Sequence, residues 1–223
     1  FAFMRLSLRA EDPKRDFTLA AVDVMSERDF IASLQGQGRQ ATRFPNQAFV
    51  FVHGYNVSFD DGIFRTAQIA HDIGFDGPAI SFSWPSRGSA WAYRHDVDTS
   101  KGSRDALRRM LELIAVDTSI VSVNLVAHSM GNAPVTEVLG ALGEIRRSGG
   151  QLRDLKLREI VLAAPDVSRT VFEQLAAKFA GQARGGITLY ASASDKAMLI
   201  SKKLAGELVR AGDVPGGRPV VVR

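Results

Sequence analysis

Leu125-Val126-Ala127-His128-Ser129-Met130-Gly131-Asn132 is an apolar run that passes through a serine and on into a segment with helical spacing. A serine carried on a sharp strand-to-helix turn requires small residues two positions to either side, because the strand and helix backbones nearly touch there. Ala127 and Gly131 occupy those places. Glycine at both is the usual pattern, and Ala127 departs from it by one methyl group. Such a turn lifts the hydroxyl above the carboxyl end of the strand. It also leaves the Met130 N–H at a helix start, where backbone donors face developing negative charge. Ser129 is therefore read as a nucleophile, with Met130 as one donor to its oxyanion.

An ordinary strand-loop-helix with a serine in the loop matches the same short pattern, so the flanking residues carry the weight. Ile120 to Ala127 is nearly all apolar, with valine at 121, 123 and 126, as a parallel strand covered on both faces requires. Beyond the serine, Val135, Val138, Leu139, Leu142 and Ile145 repeat at helical spacing. Pro134 lies in the first turn, where a missing N–H costs little.

Working outward, the same alternation recurs. Ala48 to Val52 is an apolar strand ending at His53-Gly54-Tyr55-Asn56, and Ser58 with Asp61 caps a helix that turns Ile63, Ala67, Ala70 and Ile73 inward as far as Gly74. Pro78 to Phe82 is the next strand, leading into Ser83-Trp84-Pro85-Ser86. A long connection with Trp91, Tyr93 and His95 precedes a helix from Ser103 built on Leu107, Met110, Leu111 and Ile114. After the Ser129 helix, Ile160 to Ala164 is a strand ending at Pro165-Asp166, followed by a helix over Val171 to Phe179. Ile187 to Ala191 is a strand ending near Ser194-Asp195, ahead of a helix through Leu208. At the amino end, Met4 to Arg9 and Phe17 to Val22 pattern as an antiparallel hairpin. Ser26 with Asp29 caps a short helix that Gly36 to Gly38 should end. Strand-helix alternation from Ala48 onward specifies an α/β fold: a mostly parallel sheet with helices on both faces, in a single domain spanning residues 1–223 with no large cap.

Composition excludes several function classes. Basic residues number 28 against 24 acidic ones, net +4, and the two signs are interspersed, so no basic block marks a nucleic-acid groove. The absence of cysteine removes disulfides, reactive thiols and thiolate metal sites. No apolar run approaches the length of a membrane span. Neither a metal nor an organic cofactor is called for. The chain begins at Phe1, so compartment is undecided and export or lipid anchoring stays open, as does oligomeric state.

In parallel sheets function collects at the carboxyl ends of the strands, and every unusual cluster from His53 to Asp195 sits at such an end. A serine nucleophile needs a base, an orienting acid and oxyanion donors. The second donor is expected in the loop after an earlier strand, where Gly54 permits the turn that aims the Tyr55 N–H inward. His53, Asn56, Trp84 and His128 join Gly54 as candidate neighbours of the pocket. Phe82, Trp91 and Phe59 are open to either a pocket or a core reading. Two carboxylates compete for the acid: Asp195 is favoured because the acid most often follows the later strand, and Asp166 is the alternative. Each is also placed to cap a helix.

Chain order in this fold is serine, acid, histidine. The base is the gap in this order, with His95 on its long loop the alternative within the chain. The histidines are His53, His71, His95 and His128, none of them after Ser129. The expectation is that the 223 residues stop short of a C-terminal histidine segment, with Val220-Val221-Val222 as the approach to one more strand.

The stretches from Phe49 to Asn56, Ser83 to Ser86, Ala127 to Asn132, Leu162 to Asp166 and Tyr190 to Ala197 together resemble a bacterial α/β-hydrolase family long catalogued as a domain of unknown function. The resemblance covers roughly Phe17 to Leu208. It implies an α/β-hydrolase core with Ser129 as nucleophile, Tyr55 and Met130 as oxyanion donors and Asp195 as acid. It also implies a later Gly-His-Ser-type segment supplying the base. The reading that follows is a carboxylesterase cleaving short- to medium-chain esters through an acyl-Ser129 intermediate, with a small-molecule ester as substrate. The alternatives are a non-catalytic binding protein on the same fold, or an acyltransferase or thioesterase using the same serine.

Overall fold

The computed structural model describes residues 17–87, 92–179, 181–191, 210–212 and 220–222. Helix α1 (Glu27–Gln40) leads to strand β1 (Gln47–Val52), helix α2 (Phe59–Asp72) and strand β2 (Ala79–Phe82). Helices α3 (Tyr93–Gly102) and α4 (Arg104–Asp117) precede strand β3 (Ser122–His128), which runs through a 3-10 turn (Ser129–Gly131) into α5 (Asn132–Arg147). Strand β4 (Leu157–Ala163), helix α6 (Arg169–Phe179), strand β5 (Gly186–Tyr190) and strand β6 (Val220–Val222) complete the order. The sheet runs β2-β1-β3-β4-β5-β6, with β2 through β5 parallel throughout and β6 antiparallel to β5. This is the mostly parallel α/β sheet that the strand-helix alternation specified, and it agrees with the α/β-hydrolase core that the resemblance implies.

The two faces of the sheet follow from side-chain alternation along β1. Ala48, Val50 and Val52 enter the larger core with Leu107, Leu111 and Ile114 of α4 and Val135, Val138, Leu139 and Leu142 of α5. Phe49 and Phe51 point the other way, against Ala70 of α2 and Phe75. Residues 48 to 52 are therefore apolar without interruption because both faces are covered.

Four local expectations change. Gly36 and Gly38 do not end α1, which continues to Gln40; Gly38 is buried, and a Cβ there would lie 3.1 Å from Ile120, so the glycine serves close packing. The inward face of α2 is Gly62, Thr66 and Ala70, whereas Ile73 sits at the C-cap and is 51% exposed. The long connection after β2 contains α3, whose buried positions are Tyr93, Asp96 and Ser100. Two of these three are polar, so no apolar periodicity announces the helix. Finally, Phe17 to Val22, one arm of the expected hairpin, is exposed and forms no strand, and the arm at Met4 to Arg9 lies outside the described residues. Among the described residues no helix is long and apolar enough to cross a membrane.

Candidate active site

Strand β2 adds to one side of β1, while β3, the next strand in the chain, adds to the other. At such a reversal the loops leaving the two central strands part, and a crevice opens at their carboxyl ends. Val52 and Ala127 are register partners, so the chain continues into His53-Gly54 and His128-Ser129 side by side at that reversal.

Ser129 has φ +51°, the left-handed region, which costs an L-residue roughly 1–2 kcal/mol. Contacts on both sides hold it there. Its carbonyl accepts the Asp166 N–H at 3.1 Å and the Asn132 side-chain Nδ2 at 2.8 Å. The same Nδ2 donates to the Ala163 carbonyl at 3.2 Å, tying the turn to the end of β4. Asn132 is fully buried and opens α5, whose N-terminal dipole faces the turn. No sequence expectation attached to Asn132, although an amide three residues after a turn serine is the local bonding pattern expected of asparagine.

The two glycines act differently from the sequence expectation. A Cβ on Gly131 would lie 2.3 Å from the His53 carbonyl oxygen and 2.6 Å from that of Val52, so its smallness admits the end of β1 and not its own strand. Gly54 does not supply the left-handed turn of its loop, which falls at Asn56, φ +55°. A Cβ on Gly54 would meet Ser129 Cβ at 2.9 Å and His128 Nδ1 at 3.0 Å. Gly54 is small so that the loop after β1 can lie directly against the serine.

His53 is buried, its ring stacked on Trp84 with centroids 4.9 Å apart. Its Nδ1 lies 2.9 Å from the Gly54 carbonyl, which assigns the proton to Nδ1, and Ser83 Oγ stands 3.5 Å from Nε2. Desolvation is the leading cause holding its pKa below the ordinary 6.5, so the ring is neutral at pH 7. Trp84, 2% exposed, donates its Nε1–H to the His53 carbonyl at 2.8 Å. Trp84 and Phe82 are therefore core residues behind the loop, Phe59 is exposed, and Trp91 lies outside the described residues.

Tyr55 is half-buried and packs edge-on against Tyr93, centroids 5.3 Å apart. Burial, then the negative charge of Asp96, raise its phenol above the ordinary 10.0, keeping it protonated. Asp96 itself is fully buried in α3 and accepts Ser86 Oγ at 2.7 Å and the Arg87 N–H at 3.0 Å, pinning the loop after β2. His95 Nδ1 lies 3.4 Å from the Asp96 carboxylate. His128 and His71 are exposed, the latter on α2 beside Asp72.

Of the two candidate acids, Asp195 lies outside the described residues. Asp166 is buried, and both its oxygens are engaged: Oδ2 accepts the Tyr93 hydroxyl at 3.1 Å, and Oδ1 lies 3.1 Å from Arg210 Nε. The Nε–H direction misses hydrogen-bond geometry, so this contact is an ion pair. The directional bond of that guanidinium runs from Nη2 to the Tyr93 hydroxyl, 3.0 Å. Among the described residues no group of three or more histidine, aspartate or glutamate side chains is arranged to hold a metal.

Two crystal structures of esterase B from Lactobacillus rhamnosis are among those to which the chain shows a distant similarity. One is described as C6-C4 SN3 inhibited (11% identity, TM-score 0.44, covering 72% of this chain and 61% of that one). The other is inhibited by a C4-C4 SN3 tributyrin phosphonate (12%, 0.43, 72% and 60%). The chain thus spans about three-fifths of the length of these structures. No curated protein matches it significantly. Residues 37–220 match the family model described as alpha/beta hydrolase of unknown function (DUF900), and the chain belongs to that family.

Proposed function

We propose that this family member is a serine hydrolase, a carboxylesterase cleaving short- to medium-chain esters through an acyl-Ser129 intermediate. Ser129 Oγ attacks the ester carbonyl as a histidine general base takes its proton. Asp195 holds that histidine in the required tautomer, and the Tyr55 and Met130 N–H groups receive the oxyanion. Collapse expels the alcohol with the proton returned by the histidine. Water, deprotonated by the same base, then attacks the acyl group and releases the acid and Ser129. Each oxyanion donor is worth about 10²–10³ in turnover.

The observation that supports this reading is the left-handed backbone of Ser129 at the sheet's reversal point, with Gly54 and Gly131 clearing the space on both sides of it. A strained backbone conformation held by its surroundings concentrates at functional sites. A serine in a plain connecting loop has no need of it.

The test is intact mass of the full-length natural protein before and after a fluorophosphonate, alongside Ser129→Ala, together with turnover of nitrophenyl esters of increasing acyl length. One adduct that vanishes in Ser129→Ala, with turnover highest on the shorter acyl chains, is the expected result. A folded wild-type protein that forms no adduct overturns it in favour of a binding role on the same fold.

A further inference from the structure

Asp166 was a candidate acid, yet its surroundings suit a different task. Its backbone N–H donates to the Ser129 carbonyl, so the position of Asp166 helps set that of the nucleophile turn. The side chain, 2% exposed, is clamped by Tyr93 and Arg210, and the three form a closed ring of contacts: carboxylate to phenol, phenol to guanidinium, guanidinium to carboxylate. Each member comes from a different segment. Tyr93 opens α3 and lays its ring against Tyr55. Asp166 follows β4. Arg210 belongs to residues 210–212, which run antiparallel to 165–168, with the Ala211 N–H on the Val167 carbonyl at 2.9 Å and the Gly212 N–H on that of Pro165 at 3.0 Å. A Cβ on Gly212 would lie 2.7 Å from the Ala164 carbonyl carbon, so only glycine lets that segment close down.

We propose that Tyr93, Asp166 and Arg210 are positioning residues for Ser129, locking the turn, the Tyr55 loop and the 210–212 segment into one arrangement, and that Asp166 is not the orienting acid. This rests on Ser129 being the nucleophile. Two physical arguments support it. An orienting acid stabilises the protonated base with its negative charge, and the charge of Asp166 is already balanced by the Arg210 guanidinium 3.1 Å away. A buried ion pair is poor glue compared with apolar residues of the same volume, but it admits few alternative geometries, and a left-handed serine needs a single geometry imposed from outside.

The experiment measures fluorophosphonate labelling rate, kcat and KM in the full-length natural protein and in Tyr93→Phe, Asp166→Asn, Arg210→Lys and Arg210→Met, with thermal melts to establish folding. Tyr93→Phe keeps the ring against Tyr55 and removes one hydroxyl. It is expected to lower labelling rate and kcat by roughly 10–100-fold at little change in KM, the scale of a sub-ångström to 1 Å misplacement. Arg210→Lys should recover part of what Arg210→Met loses, which carries the test if Tyr93→Phe does not fold. Folded variants that label at the wild-type rate overturn the proposal and leave the cluster as packing. A loss near 10⁴-fold in Asp166→Asn with Tyr93→Phe unaffected also overturns it, because that is the pattern of an orienting acid. Wild-type protein that does not label brings down the nucleophile reading itself, a failure distinct from both.

Discussion

Replacing Gly131 by alanine tests the contact on which the site geometry depends. The residue has φ −61° and ψ −15°, so alanine meets no conformational obstacle, and the whole effect is steric. The new methyl would stand 2.3 Å and 2.6 Å from two backbone oxygens at the end of β1, where ordinary contact begins at 3.4 Å. Strand oxygens in mid-sheet cannot rotate aside. The turn must therefore retreat from β1 by about 1 Å, a backbone shift of the kind that overpacking forces at about 1–3 kcal/mol. Against this stands a gain of roughly 0.4–1 kcal/mol from a stiffer unfolded chain, which leaves a net loss. At roughly 2–4 °C per kcal/mol for a chain of this size, the thermal midpoint should fall by several degrees. Because the displaced element carries Ser129, fluorophosphonate labelling should slow by up to about 100-fold. Gly36→Ala is the control: a Cβ there meets nothing within 4 Å inside α1, and alanine should stabilise by about 0.5–1 kcal/mol. If Gly131→Ala melts at or above wild type while Gly36→Ala behaves as expected, the close approach of turn and strand is refuted.

Three further outcomes follow from the same geometry. Ser129→Gly relieves the left-handed strain that Ser129→Ala retains, so it should melt at or above the alanine variant by up to about 1 kcal/mol, although neither labels; the reverse order in calorimetry would mean that the backbone is not left-handed there. His53 is held neutral by burial, so the unfolded chain takes up a proton near pH 6.5 that the folded chain refuses. Its contribution is complete above that pH and is lost as pH falls from there towards the lower folded value; urea titrations over about one unit either side of the free imidazole pKa should show this slope flattened in His53→Gln. Asp76 accepts the N–H groups of Thr42, Arg43 and Phe44 and the Thr42 hydroxyl, which hold its pKa well below the ordinary 3.8. Asp76→Asn should therefore lower the melting temperature at neutral pH, with the gap closing as acid protonates the wild-type carboxylate; a gap independent of pH would show that the charge is irrelevant.

What could be read from sequence was local and periodic. Uninterrupted apolar runs such as Ala48 to Val52, capping pairs such as Ser58 with Asp61, and a serine between Ala127 and Gly131 each encode their geometry within a few residues. The parallel sheet and the sharp serine turn at the end of β3 could therefore be inferred from order alone. Helix α3 escaped because its buried face is Tyr93, Asp96 and Ser100, which become inward-facing only when Ser86, Arg87, Asp166 and Arg210 arrive to satisfy them. The reasons for two glycines were likewise hidden. Gly54 looked like a turn residue and Gly131 like the companion of its own strand, whereas each makes room for a neighbour more than 70 positions away in sequence. The sequence by itself determined the strand-helix alternation and which serine stands at a strand end. Only the tertiary structure decided that β1 and β3 lie side by side, that Asp166 spends its charge on Arg210, and that Asn132 holds the turn, because hydrogen bonds and close approaches between distant segments leave no periodicity in the chain that makes them.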